Sequence, residues 1–171
     1  MMETSLDCRL SATSTAIARP KVIFQQERWA AYLADAPGLW RQHYEEVAMD
    51  QDVIPMDMDL PRYEMLDTHG MLDIITGRVD GELVAYWTGF VMGHFHYAST
   101  THCFTDLYYV HPPWRKGWTA LRMFHAAHAL LRAQDVVKVA SGTKLLPGLD
   151  MSRLFEFMGY RRTEALYTKL L

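Results

Sequence analysis

The sequence predicts an α+β protein built on one mixed, mostly antiparallel sheet that is flanked by helices. The dipeptide Asp80-Gly81 separates two strand-like hydrophobic runs, and this arrangement strongly favours a β-hairpin. A later strand-like run ends at Val110 and is followed by an Ala/Leu-rich helical pattern and a short β-branched run over residues 136–140. This order is typical of a strand-helix-strand crossover, which places two parallel strands in the same sheet.

The composition is that of a folded domain. Half of the 171 residues are hydrophobic, and they include 5 Trp, 9 Tyr and 7 Phe, which is enough for a substantial core. The net charge of −3 argues against a general nucleic-acid binder. Cys8 and Cys103 have neither the number nor the spacing of a disulfide framework or a metal site. Without a bilayer-spanning apolar run or a secretory signal pattern, the sequence predicts a cytoplasmic protein with no membrane partner.

The first half is expected to contain a flexible arm, one strand and two helices. Residues 1–20 are rich in Ser, Thr and Ala and predict the arm, whereas residues 21–171 predict one domain. Apolar residues at helical spacing, with a break near Ala36-Pro37, predict two helices. The acidic, Met-rich stretch that follows contains a proline and predicts a loop. The expected elements are a strand over 21–25, helices over 27–34 and 37–49, and a loop over 51–60.

The second half predicts most of the sheet. One helix has an apolar face formed by Ala120, Met123, Phe124, Ala127, Leu130 and Leu131. The β-branched run after it predicts a buried strand parallel to the one that ends at Val110. The expected elements are strands over 72–79, 83–95 and 101–110, a helix over 117–134, a strand over 136–140, a helix over 151–158, and a last strand or hairpin over 160–171.

A short basic segment opens the long helix: Arg115, Lys116, Gly117, Trp118 and Thr119. Free backbone N–H groups at a helix N-terminus, together with two cations and a hydroxyl, suit a pyrophosphate. The alternative is a solvated helix start after a Pro-Pro turn.

This segment resembles the cofactor-binding segment of the GCN5-related N-acetyltransferases (GNAT), which holds acetyl-coenzyme A. The family loop reads Arg/Gln-x-x-Gly-x-Gly/Ala, usually after a Val-x-Pro strand end. Four residues fall in register with it: Val110, Pro112, Arg115 and Ala120. Trp118 occupies the central glycine position, and Gly117 lies one residue early. Because tryptophan resists a positive φ, we expect Gly117 to supply the flexible backbone and the indole to turn away from the phosphates.

A second resemblance is the stretch 154–160, which looks like the closing helix and Gly-aromatic turn of the same family. The resemblance implies that two strands splay apart and hold the pantetheine of acetyl-CoA. It implies these cofactor-binding residues: Tyr108, Tyr109, Val110, Arg115, Lys116, Gly117, Trp118, Thr119 and Ala120. The family often has a tyrosine in the last helix as general acid, but Phe155 stands at that position. Tyr108, Tyr109 and Tyr160 are the substitutes that we consider.

Asp106 is the best candidate for the general base, because amine acetylation needs an acceptor nitrogen without its proton. Its alternative is a carboxylate paired inside the sheet. Alternation predicts that His94 and His96 share one strand face near Asp106, so His96 is a second candidate, as base or proton relay. Alternatively, His94, His96 and His102 could be packing residues or metal ligands. Their spacing matches no common zinc motif, so we predict no metal.

The resemblance implies acetyl-CoA-dependent transfer of an acetyl group to an amine or protein acceptor that the sequence does not identify. The alternative is a GNAT-fold protein without catalysis. The His-x-His-Tyr and Asp-x-x-Tyr-Val-x-Pro patterns resemble acetyltransferase-like proteins of tailed bacteriophages. That resemblance implies a structural role in the virion or an interaction with the host. The expected location is the host cytoplasm or the virion. The expected partner is a virion protein or a second copy of this chain.

Overall fold

The structure is a computed structural model that describes residues 20–171. Five strands form one sheet in the order β1-β2-β3-β4-β5, antiparallel except for β4 and β5. The elements are β1 (Ile23–Gln26), α1 (Trp29–Leu33), α2 (Ala36–Val47), α3 (Leu60–Thr68), β2 (Leu72–Val79), β3 (Glu82–His94), β4 (Tyr97–Val110), α4 (Thr119–Ala133), β5 (Lys138–Ala140) and α5 (Ser152–Phe157), with a 3-10 turn over Pro112–Trp114. The predicted fold class, a mixed and mostly antiparallel sheet with flanking helices, is confirmed. The predicted arm over 1–20 lies outside the described residues except for Pro20.

Helices cover both faces of the sheet. Neighbouring residues of β3 show this directly, since Tyr86 and Trp87 are both fully buried although they point to opposite faces. Tyr86 packs with Trp29, Tyr32 and Trp40 of the first helices. Trp87 packs with the apolar face of α4 and with Phe155 of α5. The sheet is therefore the middle layer of three, and its central strands are buried on both sides.

Helix α3 was not predicted from the sequence. It has no fully buried residue, so its sequence lacks the apolar stripe that identifies amphipathic helices. Its start does follow a known pattern: the Asp59 side chain accepts a hydrogen bond from the Arg62 N–H, and Pro61 occupies the first turn. The Asp-Leu-Pro stretch was the signal that could have revealed this helix.

Two predictions about the strands are wrong. Residues 160–171 form no strand, and residues 161–171 are all exposed. Strand β4 begins at Tyr97 and not at residue 101, because His94 pairs directly with Tyr97. His96 therefore lies in a two-residue turn and not on a strand face. Within residues 20–171, no helix is both long enough and apolar enough to cross a bilayer.

Candidate active site

Strand β4 carries a β-bulge at Asp106. On its neighbour β3, Thr88 pairs with Leu107 and Gly89 pairs with Thr105, so Asp106 has no partner of its own. A bulge of this kind changes which way the following backbone groups point. The N–H groups of Leu107 and His111 donate towards β3, to Thr88 Oγ1 at 3.1 Å and to the Val84 carbonyl at 2.8 Å. Because alternate residues face opposite edges, the backbone groups of Tyr108 and Val110 face β5.

Strand β5 does not reach these backbone groups. Its pairing with β4 covers only His102, Cys103 and Phe104, because β5 ends at Ala140. We call the edge of β4 along residues 105–110, which no strand pairs within residues 20–171, the strand opening. Two contacts cross it: Thr105 Oγ1 lies 2.7 Å from Ser141 Oγ, and the Tyr108 hydroxyl donates to the Gly142 carbonyl at 2.8 Å. Residues 105–110 of β4 thus have no strand partner on this side within residues 20–171, and the splaying of two strands stays a prediction.

The Asp106 carboxyl group lies beside the strand opening and is held by two hydroxyl groups. The Tyr63 hydroxyl donates to Oδ2 at 2.7 Å, and the Thr88 hydroxyl donates to the same oxygen at 3.2 Å. Burial raises the pKa of Asp106, and these two hydrogen bonds oppose the rise. Within the described chain, Oδ1 accepts no side-chain hydrogen bond, so this oxygen is available to a proton. The carboxyl group therefore has the geometry and the raised basicity that a general base needs.

Helix α3 supplies the Tyr63 contact that the sequence did not reveal. The Tyr63 ring stacks on Trp29, with ring centres 4.8 Å apart and planes at 9°. Trp29 in turn stacks on Trp40 at 5.8 Å. Aromatic packing thus fixes the ring whose hydroxyl orients the Asp106 carboxyl group.

The predicted phosphate loop leads into α4 as expected. Gly117 has a φ of 77°, so it supplies the left-handed backbone, and the Trp118 side chain is 68% exposed. The positive φ predicted for Gly117 is confirmed, whereas the position of the Trp118 indole relative to a bound phosphate stays a prediction. Trp118 is the N-cap of α4, and no side chain caps this end, so the first N–H groups of α4 have no side-chain acceptor in the described chain. Thr119 is buried, and its hydroxyl lies 3.5 Å from the Lys116 carbonyl; Ala120 packs against the core.

The two cations of the loop differ in their contacts, because Arg115 forms an ion pair with a neighbouring helix and Lys116, in the described chain, does not. The guanidinium group of Arg115 forms a two-pronged ion pair with Glu46 of α2, and its Nε donates to the Val110 carbonyl at 2.7 Å. It also lies over the ring of Tyr109, 5.1 Å from the centre, and the Tyr109 hydroxyl donates to Glu46. Lys116 is exposed and forms no ion pair within residues 20–171. Lys116 is therefore the loop cation that can meet an anion without breaking an existing pair.

No protein-family model matches this sequence, and the search of curated proteins found no match. Solved structures do match. A ribosomal-protein-alanine N-acetyltransferase from Brucella melitensis biovar Abortus 2308 has a TM-score of 0.66 and 15% identity, over 88% of this chain and 99% of that one. An aminoglycoside acetyltransferase from an uncultured soil metagenomic sample has a TM-score of 0.69 and 11% identity, over 88% and 97%. A protein described as a predicted acetyltransferase with acetyl-CoA, from Clostridium acetobutylicum, has a TM-score of 0.64 and 12% identity, over 87% and 96%.

The chain has the GNAT fold. The likeness covers nearly the whole length of each neighbour, while the identities are low enough that it establishes the fold alone. The order of elements that the sequence predicted, from the hairpin to the crossover helix, is thereby confirmed as a GNAT order.

Phe155 stands at the position where GNAT proteins often have a tyrosine as general acid. It is buried and packs in the core on the α4 side of the sheet. Its ring packs against Phe124 at 5.3 Å and against Tyr160 at 5.1 Å. The Tyr160 hydroxyl lies 2.7 Å from His128 Nε2 and 3.4 Å from Ser141 Oγ, directly after β5. Burial lowers the pKa of His128 and raises that of Tyr160, so both groups are neutral at pH 7. Of the three substitute tyrosines, Tyr160 is the one paired with a neutral imidazole.

His96 lies far from the Asp106 carboxyl group. Thr88, which contacts Asp106, stands six residues before His94 on β3, so roughly 20 Å of strand separates the two sites at ~3.3 Å per residue. The His96 N–H donates to His94 Nδ1 at 3.1 Å within the turn. A proton relay from Asp106 through His96 is therefore geometrically excluded. Within residues 20–171, no three His, Cys, Asp or Glu side chains are grouped so that they could hold a metal ion.

Proposed function

We propose that this protein is an acetyl-CoA-dependent N-acetyltransferase that acts on an amine acceptor. The observation that carries the proposal is the strand opening, which combines three features in one place. These are the bulged Asp106 carboxyl group, the outward-facing backbone of Tyr108 and Val110, and the uncapped start of α4 beyond the end of β4. The GNAT fold supports it, since one matching structure is described as a predicted acetyltransferase with acetyl-CoA.

The residues of the opening fit acetyl-CoA by their donors and acceptors. The Tyr108 N–H and carbonyl and the Val110 N–H would pair with the amides of the pantetheine, as an added strand pairs with a sheet edge. The free N–H groups at the start of α4, with Lys116, would hold the pyrophosphate. The positive φ of Gly117 turns the loop so that these N–H groups lie together, and the space beside Gly117 is open.

The proposed chemistry uses two side chains and one backbone region. Acetyl-CoA supplies an activated thioester carbonyl. Asp106 Oδ1 removes the proton from the acceptor nitrogen, through a bridging water because aspartate is short. Backbone N–H groups near Tyr108 donate to the carbonyl oxygen as negative charge develops there. The acceptor nitrogen would attack the thioester carbon, so that a C–N bond forms and the C–S bond breaks. The Tyr160 hydroxyl, backed by His128, would donate a proton to the departing sulfur.

Calorimetric titration with acetyl-CoA tests the binding step. We expect the wild type to bind with an affinity that falls as salt rises, because Lys116 contacts phosphate. Lys116→Ala should weaken binding by about 1–3 kcal/mol, the usual scale for a charge-assisted hydrogen bond. Glu46→Gln should strengthen binding, because it releases the Arg115 guanidinium from its ion pair. Lys138→Ala, an exposed lysine that pairs with His102 at the other end of the β4–β5 pair, is the matched control and should bind like the wild type.

The same titration can contradict the proposal. If the wild type shows no binding to acetyl-CoA, the strand opening is not a cofactor site. If binding is normal in Lys116→Ala and in Glu46→Gln, the phosphates lie away from the start of α4.

A pH profile of turnover tests the role of Asp106. The carboxyl group must be ionised to accept a proton, so turnover should rise as pH rises through the pKa of Asp106, which lies above the ordinary aspartate value. Tyr63→Phe removes a hydrogen bond that favours the ionised form, and it should therefore move this rise to higher pH. Tyr97→Phe, at the exposed hairpin turn, is the control. An unshifted profile in Tyr63→Phe would assign the titration to another group.

Two observations favour the second candidate, a GNAT-fold protein without catalysis. The cation at the family's loop position, Arg115, is already paired with Glu46, and the family's tyrosine position holds Phe155. A chain of this kind would serve in a virion or bind a host protein. Acetyl-CoA binding without turnover on any amine would support this candidate over the enzyme.

A further inference from the structure

A groove lies between β1 and α4, at the edge of the sheet opposite to β5. Its volume is about 350 Å³, which is at the lower end of the range for small-molecule sites, roughly 300–1,000 Å³. The groove is therefore large enough for a small ligand. We call it the β1–α4 groove, and it is lined by Lys21, Ile23, Phe24, Leu121, Arg122 and His125.

The polar lining of this groove is entirely basic. Lys21 lies two residues before β1, and Arg122 and His125 are one turn apart on α4. In the part of the chain that the structure describes, none of the three forms an ion pair. Helix α4 itself has two arginines and two histidines but no carboxylate. In a chain with a net charge of −3, a groove with this lining indicates an anionic ligand.

Arg122 is held in place at the wall of the groove. Its Nη2 donates to the Val22 carbonyl at 2.7 Å, and its guanidinium carbon lies 5.3 Å from the centre of the Phe24 ring. A guanidinium group has several further N–H donors, and no acceptor for them is present among residues 20–171. The Arg122 side chain is thus positioned in advance, with donors left to meet an anion.

The other side of the groove is apolar. Ile23 is 55% exposed although it belongs to a strand, and Phe24 and Leu121 are half-buried. The Phe24 ring lies directly over Gly77 of β2, where a Cβ atom would come within 2.7 Å of the ring. The close approach of the ring therefore requires glycine at position 77. Apolar side chains beside a few polar groups are typical of sites for small organic ligands.

We propose that the β1–α4 groove binds a small phosphate monoester whose organic part is apolar. A phosphate monoester carries about two negative charges and three acceptor oxygens at neutral pH, so it can contact Lys21, Arg122 and His125 at once. A carboxylate has a single charge and two oxygens, and it matches this set less well. The organic part lies against the apolar side of the groove. The proposal does not depend on acetyltransferase activity, because the proposed cofactor site lies along β4 and at the start of α4.

Titration of the full chain with phenyl phosphate, followed by ¹H–¹⁵N NMR, tests this site. We expect saturable shifts at the amide groups of Phe24 and His125, and weaker binding of inorganic phosphate, which has no ring. Lys21→Gln/His125→Gln should raise the dissociation constant of phenyl phosphate by about tenfold or more. Both side chains are exposed, so this variant should fold, whereas a change at Arg122 would also remove its contact with Val22.

Two matched controls should bind phenyl phosphate like the wild type. Arg132→Gln removes an exposed cation of the same helix outside the groove, and Lys116→Ala removes the cation of the proposed cofactor loop. Equal weakening in Arg132→Gln would mean a diffuse attraction to α4, and weakening in Lys116→Ala would place the phosphate at the start of α4. Inorganic phosphate that binds as tightly as phenyl phosphate would contradict the apolar part of the site. A wild type without saturable shifts, or a groove variant that binds normally, would overturn the proposal.

Discussion

Asp106→Asn is expected to lower kcat by about 10²–10⁴-fold, the usual contribution of general acid–base catalysis, without changing the dissociation constant of acetyl-CoA. Asparagine keeps the size of the side chain, and its carbonyl oxygen can still accept the hydrogen bonds of Tyr63 and Thr88. It cannot accept a proton from the acceptor nitrogen. The loss should therefore appear in the chemical step alone. The assay follows release of the coenzyme thiol with a panel of amines, alongside calorimetry with acetyl-CoA.

The chain offers a matched control for this variant in Asp73 of β2. It is also a buried carboxyl group whose pKa is raised by burial, and it accepts a side-chain hydrogen bond, from Gln134 at 3.0 Å. It lies away from the strand opening, so Asp73→Asn should leave kcat unchanged. If Asp106→Asn turns over a good acceptor as fast as the wild type does, Asp106 is a structural carboxyl group and the base must be sought elsewhere.

The sheet and its crossover could be predicted because their signals are local. The Asp80-Gly81 turn specifies the β2–β3 hairpin within a few residues, and Asp80 and Gly81 both adopt the positive φ that such a turn requires. The apolar face of α4 and the β-branched run after it identify the crossover in the same way. Gly117 was found because a turn into a helix needs a residue that accepts a positive φ.

The contacts that define the candidate site are not local, and this is why the sequence missed them. Tyr63 and Asp106 are 43 residues apart, and Glu46 and Arg115 are 69 residues apart. No spacing rule links residues at such distances; only the packing of α2 and α3 against the sheet brings them together. His96 was misplaced for a different reason, because the Phe95-His96 turn lacks the Gly or Asn that usually marks a tight hairpin.

The unpaired residues 161–171 illustrate a third limit. The family resemblance predicts a last strand or hairpin here, and that prediction is wrong for this chain, in which residues 161–171 form no strand and are exposed. A pattern reports what a segment can pair with, and it does not report whether the partner lies in the same chain.

Tyr160→Phe is expected to lower kcat by about 10²-fold, the low end of general-acid catalysis, with little change in acetyl-CoA affinity. The GNAT position for a proton donor holds Phe155, and the Tyr160 hydroxyl is the group beside Ser141 at the start of the strand opening. Phenylalanine keeps the contact with the Phe155 ring, so the fold should persist, and a melting curve checks this. Tyr97→Phe, exposed at the hairpin turn, should have the turnover of the wild type.

A second substitution separates a proton donor from a packing residue. Phe155→Tyr/Tyr160→Phe returns a hydroxyl to the GNAT position, and the rings at 155 and 160 lie only 5.1 Å apart. If Tyr160 donates a proton to the departing sulfur, this double variant should recover part of the turnover lost in Tyr160→Phe. A packing role predicts no recovery, because the added hydroxyl restores no lost contact. Undiminished turnover in Tyr160→Phe itself would transfer proton donation to Tyr108 or to water, because Tyr109 points to Glu46 on the other face of the sheet.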